Sequence, residues 1–467
     1  MSALNAYPPM TIRIRAVSAL TALVSLALLS AGPAGHIAAS APPPPSKPPV
    51  DALSRTADEV AREVEQLRGW KFKRPVKKER VSMTRAHLDI RRMLMASDTP
   101  DHRARVQAFL RVAGLIPPDC NVLDTSLAVL DQQVAGYYEP ATRTLRLVEG
   151  PSPRPTFVER MVLAHELTHA LDDQYVDLAK LMKQGGGTED SDFVATAVGE
   201  GSATSLMLQE MAAGQKAGRF TFADLSQYVV EELERARTLE QLPRYFSAMF
   251  GSYVVGAAFL ARGDLSTIVA QPDNRSIGDA LLTARHAMPQ SSEQLLHPEK
   301  YWDPAQRDDP VVIDDRSMAL WLARPGRRIL HRDTLGELLT AILTEPHDTR
   351  RDLMHLQSIA AWTNAGASGW GGDRFFLLSS RSGQHALGTT KDLQGVWVTT
   401  WDTPKDRDKF LAALENGSPP PNSVSAAVGR QTAVVFIAVA EEERVSLLRR
   451  LDLMPLTMKR SGQTWTQ

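Results

Sequence analysis

The chain has 467 residues, a formal net charge of −1, 43% hydrophobic residues and 23% charged residues. This length predicts about two or three domain-sized units with a sizeable core. The near-neutral charge gives no electrostatic basis for binding nucleic acid. The only cysteine is Cys120, so an internal disulfide is excluded.

Residues 1–41 have the pattern of an export signal. Arg13 and Arg15 precede the apolar stretch Ala16–Ala31, and Ala38–Ser40 offers small residues for cleavage. We therefore predict a signal peptide and a periplasmic or extracellular protein. The apolar stretch of about 16 residues is short for a membrane span. The alternatives are an uncleaved membrane anchor and a transient association with a membrane through this segment.

The region after the export signal begins with a Pro-rich linker over residues 42–50. Periodicity then predicts helices, and the basic segment that follows the first of them is interpreted as a strand. The predicted helices are Asp51–Leu67, Met83–Met95 and Asp101–Ala113, and the strand is Lys71–Val81. Two further short strands, Val134–Tyr138 and Thr142–Val148, form a hairpin.

The most informative stretch is Met161–Gln174, which reads MVLAHELTHALDDQ. His165 and His169 are four residues apart and share one face of a helix, so both imidazoles can bind one metal ion. Glu166 lies beside them and can act as general base on a metal-bound water. The spacing predicts a catalytic metal site on this helix.

A catalytic zinc site needs a third protein ligand and one open position. We identify Glu200 as this ligand, because it lies in a predicted helix among small residues that allow close helix contact. A surface glutamate is the alternative interpretation of Glu200. A histidine six residues after His169 would suit another class of zinc peptidase, but that position is Tyr175.

Several blocks resemble one known group of enzymes. HELTHALDDQ followed by a downstream glutamate resembles the gluzincin zinc metallopeptidases, of which thermolysin is a familiar member. An uncharacterised secreted bacterial branch of that group is similar over most of the chain after residue 41. Asp172 replaces a glutamine of that branch, and Ser202 replaces an acid. The matching blocks are Gly136–Pro140 (GYYEP), Gly199–Ala203 (GEGSA), Pro289–Tyr301 (PQSSEQLLHPEKY) and Gly369–Arg374 (GWGGDR).

This resemblance implies a zincin-like catalytic domain with a small N-terminal sheet and an active-site helix that binds Zn²⁺. In gluzincins an edge strand above the metal pairs with an extended polypeptide substrate. The strand expected in that role contains Ala135, Gly136, Tyr137 and Tyr138, and Tyr137 or Tyr138 is expected to line a subsite. The alternative is that one tyrosine packs in the core and the other is exposed. Asp173 follows His169 by four residues and is expected to orient a ligand histidine, or to be a surface acid.

Peptide hydrolysis also needs a hydrogen-bond donor for the developing oxyanion. The candidates are His297, Tyr253 and Tyr301. We favour His297, since it lies in the block that matches the family best. The alternatives are that His297 caps a helix end and that the tyrosines fill the core.

The remaining sequence up to residue 365 is predicted to be mostly helical. After Gly366 the residue pattern changes to one that predicts strands. Strands and helices then alternate, which predicts a small α+β lobe over 366–467 joined to a metallopeptidase domain over 51–365. The later predicted helices are Asp224–Thr238, Leu242–Leu260, Ser276–Ala287, Arg316–Leu322, Leu335–Thr344, Asp352–Thr363, Pro404–Leu414 and Glu441–Leu451; the strands are Arg374–Ser379, Gly395–Trp401 and Thr432–Ala440.

The sequence thus predicts a helix-rich α+β fold and an exported zinc-dependent metallopeptidase acting on polypeptides. His165, His169 and Glu200 would hold Zn²⁺, and Glu166 would transfer protons. One alternative is a metal-binding but non-proteolytic envelope protein that uses the fold to bind a partner. Another is a helical scaffold without metal. No P-loop, dinucleotide fingerprint, CxxC pair or G-x-S-x-G elbow points to a different chemistry.

Overall fold

The structure is a computed structural model, and the predicted signal peptide, Ala135 and most of the predicted helix Asp352–Thr363 lie outside its described residues. The fold is mixed α+β and about 55% helical, in agreement with the predicted fold class. The described residues are 50–96, 99–133, 136–149, 156–185, 187–236, 242–346, 362–379, 387, 389–451, 456–460 and 463–466.

The described residues of the N-terminal half form eight helices of at least 12 residues, one short helix and a three-stranded sheet. Its elements in chain order are α1 (Val50–Arg68), β1 (Lys77–Ser82), α2 (Met83–Ala96), α3 (Pro100–Val112), α4 (Val122–Gln133), β2 (Gly136–Glu139), β3 (Thr144–Glu149), α5 (Thr156–Val176), α6 (Leu178–Lys183), α7 (Glu189–Lys216), α8 (Phe222–Ala236) and α9 (Arg244–Leu260).

The small sheet has the order β1-β3-β2, with β1 parallel to β3 and β2 antiparallel to it. Strand β2 is therefore an edge strand. Its free edge faces α5, and all four of its residues are buried. The predicted hairpin is present, and the basic segment forms a strand only from Lys77 onward.

Helices α5 and α7 lie at the centre of the N-terminal half and are buried along most of their length. The N-terminus of α7 is fixed by a capping box, in which Thr188 and Ser191 satisfy each other's backbone N–H groups. Helix α9 approaches α7 so closely that a Cβ atom on Gly256 would lie 1.8 Å from the Ala197 carbonyl oxygen. The small residues predicted to allow close helix contact do so against α9.

The C-terminal half begins with short helices and ends in a larger sheet. Its elements are α10 (Ser266–Ala270), α11 (Arg275–His286), α12 (Ser292–Leu296), α13 (Glu299–Trp302), β4 (Val312–Ile313), α14 (Asp315–Leu322), β5 (Arg328–Asp333), α15 (Gly336–Leu343), β6 (Trp370–Ser379), β7 (Leu393–Trp401), α16 (Pro404–Asn416), β8 (Ser423–Val428), β9 (Thr432–Ile437), α17 (Glu441–Leu451), β10 (Thr457–Arg460) and β11 (Gln463–Thr466).

The larger sheet is antiparallel with the order β5-β6-β7-β9-β8. Strand β5 pairs with β6, and β4 pairs with β10, although both precede residue 366. Met318 and Trp321 of α14 also pack in the core on one face of this sheet. The larger sheet and its core therefore extend across the predicted boundary at 366.

Within the described ranges, no helix has both the length and the apolarity needed to cross a bilayer.

Candidate metal centre

Two buried helices bring three ligand atoms to one point. His165 and His169 of α5 are 0% and 1% exposed, and Glu200 of α7 is 3% exposed. The Nε2 atoms of the two histidines lie 3.0 Å apart, and each of them lies 3.2 Å from Oε2 of Glu200. Burial of Glu200 excludes the interpretation of this residue as a surface glutamate.

This arrangement fits a zinc ion. Ligand atoms at 2.0–2.1 Å from Zn²⁺ in a tetrahedral site are separated from one another by about 3.3 Å. The separations of 3.0–3.2 Å agree with that value to a few tenths of an ångström. Two imidazoles and one carboxylate are a donor set that zinc uses in catalytic sites. All three ligand atoms can therefore reach a single ion without movement of either helix.

The charge of Glu200 suits a metal ligand. Burial by itself would raise the pKa of this carboxyl group, but His169 and His165 beside it hold the pKa well below the usual range. Glu200 is thus ionised at neutral pH, which is the state in which a carboxylate binds a metal ion.

Glu166 follows His165 on α5, is fully buried and is held by the small sheet. Its Oε2 accepts a hydrogen bond of 2.6 Å from the backbone N–H of Tyr138. This N–H lies on the free edge of β2, where a substrate strand was expected to pair. The edge strand therefore orients the predicted base, and the Tyr138 N–H is not available to a substrate in this structure.

The tyrosines of β2 have different surroundings. The Tyr138 hydroxyl donates to Asp173 Oδ2 at 3.0 Å, and Asp173 Oδ1 accepts from the Leu178 N–H at 3.0 Å. Asp173 thus fixes β2 and the start of α6 against α5, and the contacts described for it include no ligand histidine. The Tyr137 hydroxyl donates to Asp89 at 3.1 Å. The Tyr137 side chain is 2% exposed and packs in the core.

Gly136, the first residue of β2, packs directly on α5. A Cβ atom at this position would lie 3.0 Å from Val162 Cγ1 and 3.1 Å from the Arg146 carbonyl oxygen. Gly136 therefore permits the close approach of β2 to α5 that brings the Tyr138 N–H to Glu166.

The three candidate oxyanion donors lie in different places. The Tyr253 ring on α9 is 5.8 Å from the His165 ring, measured between centroids. His297 contacts Glu337 at 3.0 Å through Nε2, and its other ion pair is with Glu299 at 3.8 Å. The preference for His297 is not supported, because its ring is held by these glutamates. Tyr301 donates to the Ala287 carbonyl oxygen and packs in the core.

A buried arginine next to the site was not predicted from the sequence. Arg68 ends α1 and is fully buried. It contacts Asp172 Oδ2 at 3.1 Å and Ser202 Oγ at 2.8 Å. Asp172 and Ser202 are also two of the positions at which the sequence differs from the blocks that it resembles. This pair of departures, an acid gained at one position and lost at the other, was the available signal for a shared partner.

A second group of carboxylates lies between the C-terminal sheet and the short helices. Glu293, Asp308 and Asp402 place one oxygen each within 4.8 Å of one another. The Lys300 ammonium already binds all three, at 2.6 Å, 3.0 Å and 2.9 Å respectively. Lys300 therefore supplies the positive charge at the point where a metal ion would otherwise bind.

The comparisons with known proteins concern the C-terminal half. A family described as a domain of unknown function (DUF8575) matches residues 316–445. This range includes most of the larger sheet and contains none of the predicted metal ligands. No curated protein and no solved structure matches the chain.

Proposed function

We propose that this protein is a zinc-dependent metallopeptidase of the gluzincin type, with a zincin-like catalytic domain. The observation that carries the proposal is the convergence of His165 Nε2, His169 Nε2 and Glu200 Oε2 to within 3.2 Å of one another. The Glu166 carboxylate beside them supplies the base that peptide hydrolysis requires.

A bound Zn²⁺ would polarise the scissile carbonyl and lower the pKa of a water molecule towards neutrality. Glu166 takes the proton from the attacking water and returns it to the leaving amine nitrogen. The Tyr138 N–H fixes the orientation of this carboxylate through one of its oxygens. Tyr253 is the candidate donor to the oxyanion, since its ring lies beside His165.

The substrate and location follow from the same proposal. An extended polypeptide is the expected substrate, and the export signal over residues 1–41 indicates hydrolysis in the periplasm or outside the cell.

The second candidate function is metal binding without proteolysis. It is favoured by the burial of Glu166 and of all three ligands, together with the engagement of the Tyr138 N–H by Glu166. A polypeptide can reach this centre only if the surrounding elements move apart. The same residues would then hold zinc in an envelope protein that binds a partner.

Hydrolysis of an unstructured polypeptide by the purified chain, with and without chelator, tests the proposal. We expect activity that chelator removes and added zinc restores. Glu166→Gln keeps the size of the side chain but cannot accept the proton. It should retain zinc and lose activity by about 100-fold or more. The matched control is Glu189→Gln, since Glu189 is a half-buried glutamate whose carboxylate accepts a hydrogen bond from the Tyr245 hydroxyl instead.

The outcomes separate the candidate functions. Chelator-sensitive hydrolysis that Glu166→Gln abolishes and Glu189→Gln retains supports the peptidase. Bound zinc without hydrolysis supports the non-proteolytic metal-binding protein. Absence of both zinc and hydrolysis contradicts both functions.

A further inference from the structure

The ion pair of Arg68 with Asp172 joins three helices next to the metal centre. Arg68 is the last residue of α1, Asp172 lies on α5, and Ser202 lies on α7. The guanidinium Nη2 contacts Asp172 Oδ2 at 3.1 Å, Ser202 Oγ at 2.8 Å and the Ser202 carbonyl oxygen at 3.4 Å. Ser202 Oγ also donates to Asp172 Oδ2 at 2.7 Å.

These contacts lie close to the ligands along both helices. Asp172 follows His169 by three residues, which is less than one helical turn. Ser202 follows Glu200 by two residues. A single guanidinium therefore joins the ligand-bearing segments of α5 and α7 within one turn of a ligand on each helix.

The energetics of this pair argue against a purely stabilising role. Both charged groups are fully buried, and Nε and Nη1 of Arg68 and Oδ1 of Asp172 form no hydrogen bond with any described residue. Burial lowers the pKa of Arg68 and raises that of Asp172, although each charge opposes the shift of the other. A buried ion pair with unsatisfied groups is often no more stable than apolar side chains of the same volume.

We propose that Arg68 is a positioning residue for the metal centre. Its guanidinium fixes α5 against α7 at the separation that brings the two histidines and Glu200 to one point. This inference rests on the metal-binding part of the proposed function, and not on hydrolysis. Outer groups that orient metal ligands typically contribute about 10–100-fold to metal affinity. Loss of the ion pair should therefore lower zinc affinity by about that factor.

The first test replaces both charges, because removal of one alone leaves the other buried and unpaired. Arg68→Met with Asp172→Asn keeps the approximate volumes. We expect a folded protein with an unfolding temperature close to that of the parent when both are metal-free. Its zinc affinity, measured by competition with a chromophoric chelator, should be about 10–100-fold weaker.

A second test moves the negative charge from α5 to α7. Asp172→Asn alone should weaken zinc binding by about tenfold or more. Addition of Ser202→Asp places a carboxylate at the position that already contacts Nη2 at 2.8 Å. The double variant should therefore recover zinc affinity to within about threefold of the parent. A merely structural loss at Asp172 would not be rescued in this way.

The matched control is another buried ion pair between the same two helices. Arg160 of α5 contacts Glu210 of α7 at 3.3 Å, ten residues beyond Glu200. Arg160→Met with Glu210→Gln should change the unfolding temperature and leave zinc affinity unchanged.

Three results would overturn the proposal. The first is zinc affinity within about twofold of the parent in the Arg68 and Asp172 double variant, and the second is an equal loss in the Arg160 and Glu210 control. A parent protein that binds no zinc also overturns it. Zinc that binds and responds as expected, without any hydrolysis, leaves the positioning role intact and contradicts only the peptidase.

Discussion

Two groups of ionisable residues in this chain differ in the source of the positive charge that their carboxylates face. In one, Glu200 and two histidines direct three ligand atoms at a common point, 3.0–3.2 Å apart. In the other, Glu293, Asp308 and Asp402 surround the Lys300 ammonium at 2.6–3.0 Å. The first group uses imidazole donors and suits an added metal ion, whereas the second contains its own cation.

The second group shows why proximity of carboxylates is a weak indication of a metal site. Burial lowers the pKa of Lys300, but the charges of Glu293 and Asp402 outweigh burial and leave the pKa well above its usual value. Arg460 adds a second positive charge through an ion pair of 3.0 Å with Asp308. Lys300 of α13 therefore links Glu293 of α12 to Asp402 at the end of the C-terminal strand β7.

The largest expected effect is on zinc affinity, when one carboxylate is removed from the first group and, as a control, one from the second. Glu200→Ala should lower zinc affinity by more than 100-fold, beyond the roughly 10–100-fold effect of outer groups, because two histidines alone leave the ion under-coordinated. Asp402→Ala should leave zinc affinity unchanged. Equilibrium dialysis at buffered free zinc measures both.

Equal losses of zinc affinity in the two variants would contradict the distinction between the two groups, since both groups would then contribute to zinc binding. Glu189 lies in the same helix as Glu200. It is not expected to replace Glu200 as a zinc ligand, because its carboxylate contacts the Tyr245 hydroxyl at 2.7 Å.

A smaller effect is expected from Lys300→Met, which leaves three carboxylates without their internal cation. We expect a loss of roughly 2 kcal/mol in the free energy of unfolding, below the 3–5 kcal/mol typical of a fully buried broken pair, since Lys300 keeps some contact with solvent. Urea denaturation measures this loss. The control is Lys71→Met, whose exposed pair with Glu65 should contribute less than about 1 kcal/mol.

The metal content of the Lys300→Met variant sharpens the distinction further. The variant should bind the same amount of zinc as the parent. An additional equivalent of zinc would mean that the three carboxylates can bind a metal ion once Lys300 is removed. The absence of imidazole donors would then not be what distinguishes this group from the metal centre.

The smallest effect concerns His297, a histidine paired with a glutamate outside the metal centre. The hydrogen bond with Glu337 raises the pKa of His297 above its usual value, although burial opposes the shift. The stabilisation of the fold by the His297–Glu337 pair is therefore complete below about pH 6.5 and is lost as the pH rises through the raised pKa. The stability difference between the parent and His297→Gln, measured by urea denaturation, should shrink over that rise.

The His297→Gln variant should also keep its zinc content and its rate of hydrolysis. A loss of activity of about 100-fold would instead restore His297 as the oxyanion donor.

The sequence was most informative where a local pattern determines the chemistry. The four-residue spacing of His165 and His169 and the small residues around Glu200 predict two helices that can meet. The structure brings their ligand atoms together. Regular helices and the inner strands of the larger sheet were also predictable, because apolar periodicity defines them.

Features that depend on distant partners were not predictable. Arg68 and Asp172 are separated by 104 positions, so no local pattern joins them. Strand β5 reads RILHRD and lacks an apolar alternation, so its place in the sheet depends on pairing with β6. Tertiary contacts likewise determine where the basic strand begins, where the Tyr137 side chain packs and how His297 pairs with Glu337.

The most direct test of the metal centre is the zinc content of the purified chain after dialysis at buffered free zinc, compared with the His165→Ala and His169→Ala double variant. Elemental analysis should find one zinc ion per chain in the parent and close to none in the double variant. The account would be contradicted by a parent that contains no zinc, or by a double variant that keeps a full equivalent.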